Sequence, residues 1–185
     1  MEGDHATASD VSDACDELGL AAARSGSLRP VWAGAPAISG VLRTVRLEPA
    51  GDSSPLDELL ALLAEQASVL WLVDLEGRLD RQCWGSRLAT VAQRYGVPGV
   101  LVNGAVRDVD DLQAMQFPTY ARGVYPGAAR GRLRVAAVDE PVDLDGVTVV
   151  AGSYVVADSS GLAAFEAARA AEVIDVAREI RRRER

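Results

Sequence analysis

The stretch that decides the reading is Trp84–Asp111, WGSRLATVAQRYGVPGVLVNGAVRDVDD. Gly85-Ser86 stands before an apolar-periodic run, Leu88, Val91, Ala92 and Tyr95, so the spacing predicts a helix with Ser86 as its N-cap. Gly96 and Pro98 stop that helix. Gly99-Val100-Leu101-Val102 then reads as a short buried strand, and Asn103-Gly104 as a turn that delivers Arg107 and Asp108 to the strand's far end. A helix start, a strand end and an Arg-Asp pair therefore meet.

That meeting has chemical content. The first turn of a helix offers unpaired N–H groups and a positive dipole end, so the amides of Arg87 and Leu88 suit a carboxylate or phosphate. Arg107 adds a planar, permanently charged fork for the same anion, and Asp108 a hard oxygen ligand for Mg²⁺ or a similar ion. Spacing alone leaves a second reading open, in which Asp108 and Asp111 are the N-cap and N3 acid of a helix and Arg107 is their surface partner.

The same residues resemble a known family: the class II pyruvate aldolases that cleave 4-hydroxy-4-methyl-2-oxoglutarate and 4-carboxy-4-hydroxy-2-oxoadipate, with their relatives, the regulators of ribonuclease E activity. Gly85, Gly96, Gly99, Asn103-Gly104-Ala105-Val106-Arg107-Asp108 and Asp111 match that pattern in order. Val11–Gly19 looks like the family's first helix, Gly40–Val45 like its first strand, and Phe117–Gly123 like the strand after the Arg-Asp helix. Ala151–Gly161 looks like a degraded form of the family's Pro-Gly-Asp and Asp-x-Asp-Gly elements. The family aldolases carry an acid twenty intervening positions before the Arg, and here that position is Ser86.

The resemblance implies an α/β, single-domain β/β/α layered sandwich of the swivelling, phosphohistidine-domain-like type, assembled as a homotrimer or a dimer of trimers. It also implies a small anionic substrate held by Gly85, Arg87, Leu88 and Arg107, catalysis by Arg107, Asp108 and Ser86, and Mg²⁺ or Mn²⁺ held weakly by Asp108. Loss of the acid at Ser86 points to a divergent metal-dependent lyase acting on a 2-oxo acid. The alternatives are a non-catalytic regulatory or binding protein like the ribonuclease regulators, or an enzyme repurposed for a specialised pathway.

Bulk composition narrows the chemistry. At 185 residues and 49% hydrophobic, residues 1–185 suit one domain, with residues 1–8 as a flexible tail. No window holds the roughly 18 apolar residues of a membrane span, so a cytoplasmic protein is expected. A net charge of −8 opposes nucleic-acid binding, and the one dense basic run, Arg178–Arg185, reads as a solvated helix end. None of the nineteen basic residues is Lys, which excludes Schiff-base catalysis. The only His is His5, which argues against a Ser-His-Asp triad or a His-rich metal site. Cys15 and Cys83 lie far from any CxxC spacing and read as small packed residues.

Along the chain, the pattern predicts a helix over 9–23 capped by Ser9 or Asp10, a loop over 25–37 with Trp32 plugging a core edge, and a strand over 38–47. Ser54-Pro55 starts a helix, and 68–75 is a buried strand. A helix over 109–116 and strands over 119–124, 133–138, 147–150 and 154–157 follow, with helix from Leu162 to Arg185. Asp158–Gly161 reads as a turn, and Arg130, Arg132 and Arg134 at spacing two as one face of an edge strand.

Overall fold

Strand alternation explains the architecture. The computed structural model describes residues 6–51, 55–65, 68–128 and 132–184. Its strands are β1 (Ala23–Ser25), β2 (Arg29–Pro30), β3 (Ile38–Pro49), β4 (Leu70–Asp74), β5 (Gln82–Trp84), β6 (Val100–Val106), β7 (Thr119–Val124), β8 (Leu133–Val138), β9 (Val142–Asp143), β10 (Thr148–Val149), β11 (Ser153–Asp158) and β12 (Gly161–Glu166). The helices are α1 (Ala8–Glu17), α2 (Pro55–Glu65), α3 (Ser86–Arg94), α4 (Val109–Ala114) and α5 (Ala170–Arg183). Strands β3, β4, β6 and β7 run parallel in that order, with β5 parallel to β6. The first residues of β3 pair instead with β11, which leads antiparallel to β12 and β1. The twelve-residue β3 thus belongs to two sheet regions and folds one over the other.

Each strand divides its side chains between two cores, as the period of two requires. Leu70, Leu72, Leu101 and Tyr120 from the parallel strands meet Val155, Ala157, Leu162 and Ala164 from β11 and β12 in an inter-sheet layer. Trp71, Val73, Val100 and Val102 face the other way, onto Leu59 and Leu63 of α2 and Leu88, Ala89 and Ala92 of α3. Val156, Ala163 and Phe165 face outward onto α1 and α5. The expected β/β/α layering accounts for three layers of this mixed α/β fold; α1 and α5 add a fourth on the far sheet. Burying β4 on both faces is why Leu70-Trp71-Leu72-Val73 is a continuous apolar run.

Four sequence expectations change. The predicted turn at Asn103-Gly104 is the middle of β6, fully buried. Asn103 is tolerated there because its amide donates to Asp74 Oδ1 (2.7 Å) and to the Asp143 carbonyl (3.2 Å), while its Oδ1 accepts from Arg122 Nε (2.5 Å). Gly104 is needed because a Cβ would lie 2.8 Å from Leu75 Cβ. The helix expected from Leu162 begins only at Ala170: Gly161–Glu166 is a strand, because both of its faces are buried between layers and tertiary packing overrides the helix preference of alanine. The first helix ends at Glu17 and is capped by Thr7, not Ser9 or Asp10; Asp10 is instead the N3 partner of a capping box. Short strands β1, β2, β5 and β9 carried too few residues to show a period.

Several expectations lie outside the described residues: His5 and the first five positions of the tail, Ser54 as a cap, Arg130 of the arginine stripe, and Arg185. Of the basic run, Arg181 pairs with Asp10, Arg183 with Glu17 and Arg178 with Asp175. Arg181 and Arg183 thus tie α5 to α1 rather than simply facing solvent, whereas Arg178 pairs within α5 itself. No helix among the described residues is long and apolar enough to cross a membrane.

Candidate functional site

Strands β5 and β6 end side by side, and the loops beyond them build the site. The Arg107 amide donates to the Trp84 carbonyl (3.0 Å) and the Tyr125 amide to the Val106 carbonyl (2.8 Å), which fixes the exit of β6 against its neighbours. Asp108 follows with φ 58° and ψ 41°, a left-handed conformation uncommon for a side chain other than Asn, Asp or Gly. It stands at the N-cap place of α4 yet makes no side-chain cap there. Its carboxylate turns across the gap to α3, where Oδ2 accepts from the Ser86 amide and the Ser86 hydroxyl, both at 3.1 Å. The reading of Asp108 and Asp111 as a simple cap and its N3 acid therefore does not describe this carboxylate.

On the α3 side, the cap is Gly85, not Ser86, which is the first helical residue. A side chain at position 85 would put a Cβ 2.7 Å from Asp108 Oδ2 and 3.0 Å from Arg107 Cγ, so glycine here lets Asp108 and Arg107 keep these positions against α3. The Ala89 amide closes the first intrahelical bond, to the Gly85 carbonyl (3.1 Å). Because the Ser86 amide is taken by Asp108, the Arg87 and Leu88 amides are the remaining first-turn donors, with the positive end of the helix behind them. Arg107 lies beside them with Nε 3.3 Å from Asp108 Oδ2, a separation without hydrogen-bond alignment, so this buried N–H has no partner.

These groups open into a cavity of about 390 Å³, lined among others by Gly85, Arg87, Leu88, Arg107 and Asp108. Every substrate and metal residue expected from the sequence thus lines this one cavity; Ser86 reaches it through its bond to Asp108. The degraded elements around Gly152 and Asp158 are not part of that wall. Asp158 instead accepts from the Ala8 and Ser160 amides and ties α1 to the β11–β12 turn.

The same cavity is lined by residues that sequence reading missed. Asp57 in the first turn of α2 lines the cavity, as do Gln82 and Cys83 of β5. The position of Gln82-Cys83 directly before the Trp84-Gly85 exit was the available signal. Burial pushes the Cys83 thiol well above its ordinary pKa, with Asp74 adding to the shift, so it stays protonated and apolar.

A divalent ion has a narrow foothold. No group of three or more His, Cys, Asp or Glu able to hold a metal exists among the described residues. Asp108 Oδ2 accepts from two donors of Ser86 and lies in ion-pair range of Arg107, while Oδ1 accepts no hydrogen bond among the described residues and is one hard oxygen on a residue that lines the cavity. That donor set fits a water-rich Mg²⁺ or Mn²⁺ held through a single carboxylate, and nothing tighter.

Residues 8–163 match the family described as RraA-like, Aldolase/RraA. The chain is 30% identical over 162 residues, 88% of its length and 94% of the relative's, to a Xanthomonas campestris protein named "Putative 4-hydroxy-4-methyl-2-oxoglutarate aldolase". It is 33% identical over 110 residues to an uncharacterised protein of Methanocaldococcus jannaschii, a match that covers 60% of the chain and spans about half, 52%, of that relative's length. Among solved structures it superposes on Streptomyces coelicolor RraAS2, described as an unusual member of the RNase ES inhibitor RraA family, with a TM-score of 0.79 and 26% identity over 96% of this chain and 89% of that one. With the family match covering most of its length, and the Arg107-Asp108 corner built as described, the chain belongs to the RraA-like, Aldolase/RraA family.

Proposed function

We propose that the cavity is the active site of a divergent carbon–carbon lyase of the pyruvate aldolase or oxaloacetate decarboxylase type, acting on a 2-oxo acid. The observation that carries this reading is Asp108, held in a left-handed backbone conformation and turned away from its own helix toward Ser86, beside the unpartnered Arg107 Nε. A carboxylate serving only as a cap has no reason to adopt that arrangement.

In this reading the amides of Arg87 and Leu88 hold the substrate's C1 carboxylate. Arg107 faces the 2-oxo oxygen, where negative charge grows as the bond beyond C3 breaks and its electron pair passes toward that oxygen. The departing fragment is carbon dioxide, or a ketone formed as the C4 hydroxyl gives up its proton to solvent, and protonation of the enolate at C3 from solvent gives pyruvate. Asp108 would hold Mg²⁺ or Mn²⁺ through Oδ1, and the ion when bound supplies Lewis acidity toward the substrate's carbonyl and carboxylate oxygens. Ser86 donates its hydroxyl proton to Asp108 and has no histidine among the described residues to activate it, so it is no base near neutral pH.

The expected result is slow release of pyruvate from oxaloacetate and from 4-hydroxy-4-methyl-2-oxoglutarate, which Ser86→Asp or Ser86→Glu accelerates by roughly 10²-fold, the scale of a restored acid–base group. A coupled pyruvate assay with and without Mg²⁺ reads this directly. No metal-dependent release from native chain or variant would favour the second reading, a regulatory scaffold, which the loss of the acid at Ser86 also supports.

Self-association belongs to the same proposal. Leu79 and Val124 are exposed at 51% and 57%, and the Leu79 side chain packs beside Gly123, so they form an apolar patch on the strand end that also carries the site. Such a patch suits a homotrimer or a dimer of trimers.

A further inference from the structure

Gln82 is the one buried polar side chain on the cavity wall whose chemistry nothing above uses. It is 5% exposed, lines the same cavity as Arg107 and Asp108, and accepts or donates no side-chain hydrogen bond among the described residues. The other buried polar side chains behave differently. Asn103, Thr44 and Asp74 all meet protein partners. A buried amide with no partner among the described residues, in the lining of a site, is placed to meet a ligand.

From this we infer that Gln82 is a specificity-determining residue that recognises a hydroxyl group on the substrate. The inference rests on the reading of the cavity as a 2-oxo acid site. A primary amide presents N–H donors and a carbonyl acceptor together, and a hydroxyl is the small group that satisfies both at once, accepting from the NH₂ and donating to the C=O. A second carboxylate accepts from the NH₂ but leaves the carbonyl oxygen unsatisfied, and a methyl group leaves both. In that reading the carboxylate end of the substrate is already served by the α3 amides and Arg107. The amide therefore favours a hydroxylated 2-oxo acid, the substrate of an aldol cleavage, over oxaloacetate, which has no hydroxyl in its keto form.

The test is calorimetric titration of the native chain, Gln82→Leu and the more flexible, near-isosteric Gln82→Met with three probes. Oxalate, a planar mimic of the pyruvate enolate without a hydroxyl, reports the anion site itself and should bind all three proteins alike. The pair 2-hydroxyglutarate and glutarate differ by one hydroxyl, which counted from the distal carboxylate sits at C4. The native chain should prefer 2-hydroxyglutarate by about tenfold, the scale of one well-made buried hydrogen bond, and both variants should lose the preference. Oxalate binding with no preference between the pair in the native chain overturns the inference and leaves the 2-oxo acid reading standing; so does a preference that survives both substitutions. Failure of oxalate to bind the native chain overturns that reading and the inference with it.

Discussion

Two helix starts in this protein solve the same physical problem in opposite ways. At α1, Thr7 accepts from the Asp10 amide at 3.1 Å and Asp10 accepts from the Thr7 amide at 2.7 Å, while Asp158 takes the Ala8 amide at 2.8 Å. Arg181 closes over the Asp10 carboxylate at 3.1 Å. The Thr7, Ala8 and Asp10 amides are thus taken by protein groups. At α3 the cap is a glycine with no side chain to offer, and the one amide that is bonded is served by Asp108, twenty-two residues away. The remaining donors face a cavity. A helix end closed by its own sequence is structural, whereas one left open beside an arginine and a carboxylate from another element is available for a ligand.

The sharpest way to break the comparison is at the open end. Arg107→Ala should lower metal-dependent pyruvate release by about 10²- to 10³-fold, the effect of losing a group that opposes developing negative charge, and should change stability little because Arg107 is partly exposed. Release that survives the substitution within a factor of a few would remove Arg107 from the reaction.

Gly85→Ala should show that the open end is a matter of approach rather than of folding. The new Cβ would meet the far end of the Asp108 side chain at 2.7 Å, which can swing away at a stability cost of about 1 kcal/mol or less. Asp108 would then leave the Ser86 amide, and activity should fall at least tenfold with an almost unchanged denaturation midpoint. A large loss of stability with proportionate activity would mean that position 85 matters only for packing.

Thr7→Ala addresses the closed end and should do the reverse, costing about 1 kcal/mol in chemical denaturation with specific activity unchanged. It should also alter the acid limb of stability. Burial works against the Asp10 carboxylate, but the Thr7 amide and hydroxyl and then Arg181 outweigh it and hold its pKa below the ordinary value. A depressed folded-state pKa contributes stability that is complete above the unfolded-state value of about 3.9 and is lost as pH falls through the folded value. Denaturation midpoints followed below pH 5 should therefore fall less steeply in Thr7→Ala than in the native chain. Asp74 titrates in the opposite sense: burial raises its pKa despite the Glu76 amide and Asn103, so its ionisation on rising pH removes stability.

Much of this was legible along the chain. The apolar spacing of Leu88, Val91 and Ala92 located α3, the unbroken run Leu70–Val73 located β4, and the order of Gly85, Gly99 and Arg107-Asp108 carried the family resemblance. Arg107 and Asp108 were expected at a strand end, and that is where β6 puts them. These features are set by neighbours within a few residues, where hydrophobic period and turn chemistry act.

The remainder depends on partners far apart in sequence. Asn103-Gly104 carries the local chemistry of a turn, yet it runs straight through a buried strand because Asp74, Asp143 and Arg122 satisfy the amide and Leu75 leaves room for no Cβ. Leu162-Ala163-Ala164 prefers helix by tenths of a kcal/mol per residue, and burial on both faces of a sheet outweighs that. The meeting of Ser86 with Asp108 and the presence of Asp57 and Gln82 in the cavity lining follow from how β5, β6 and α2 pack. The sequence alone marked the candidate site residues and the family the chain belongs to; only the tertiary structure decided which donors stay unpaired, because pairing is settled by whatever long-range packing brings within about 3 Å.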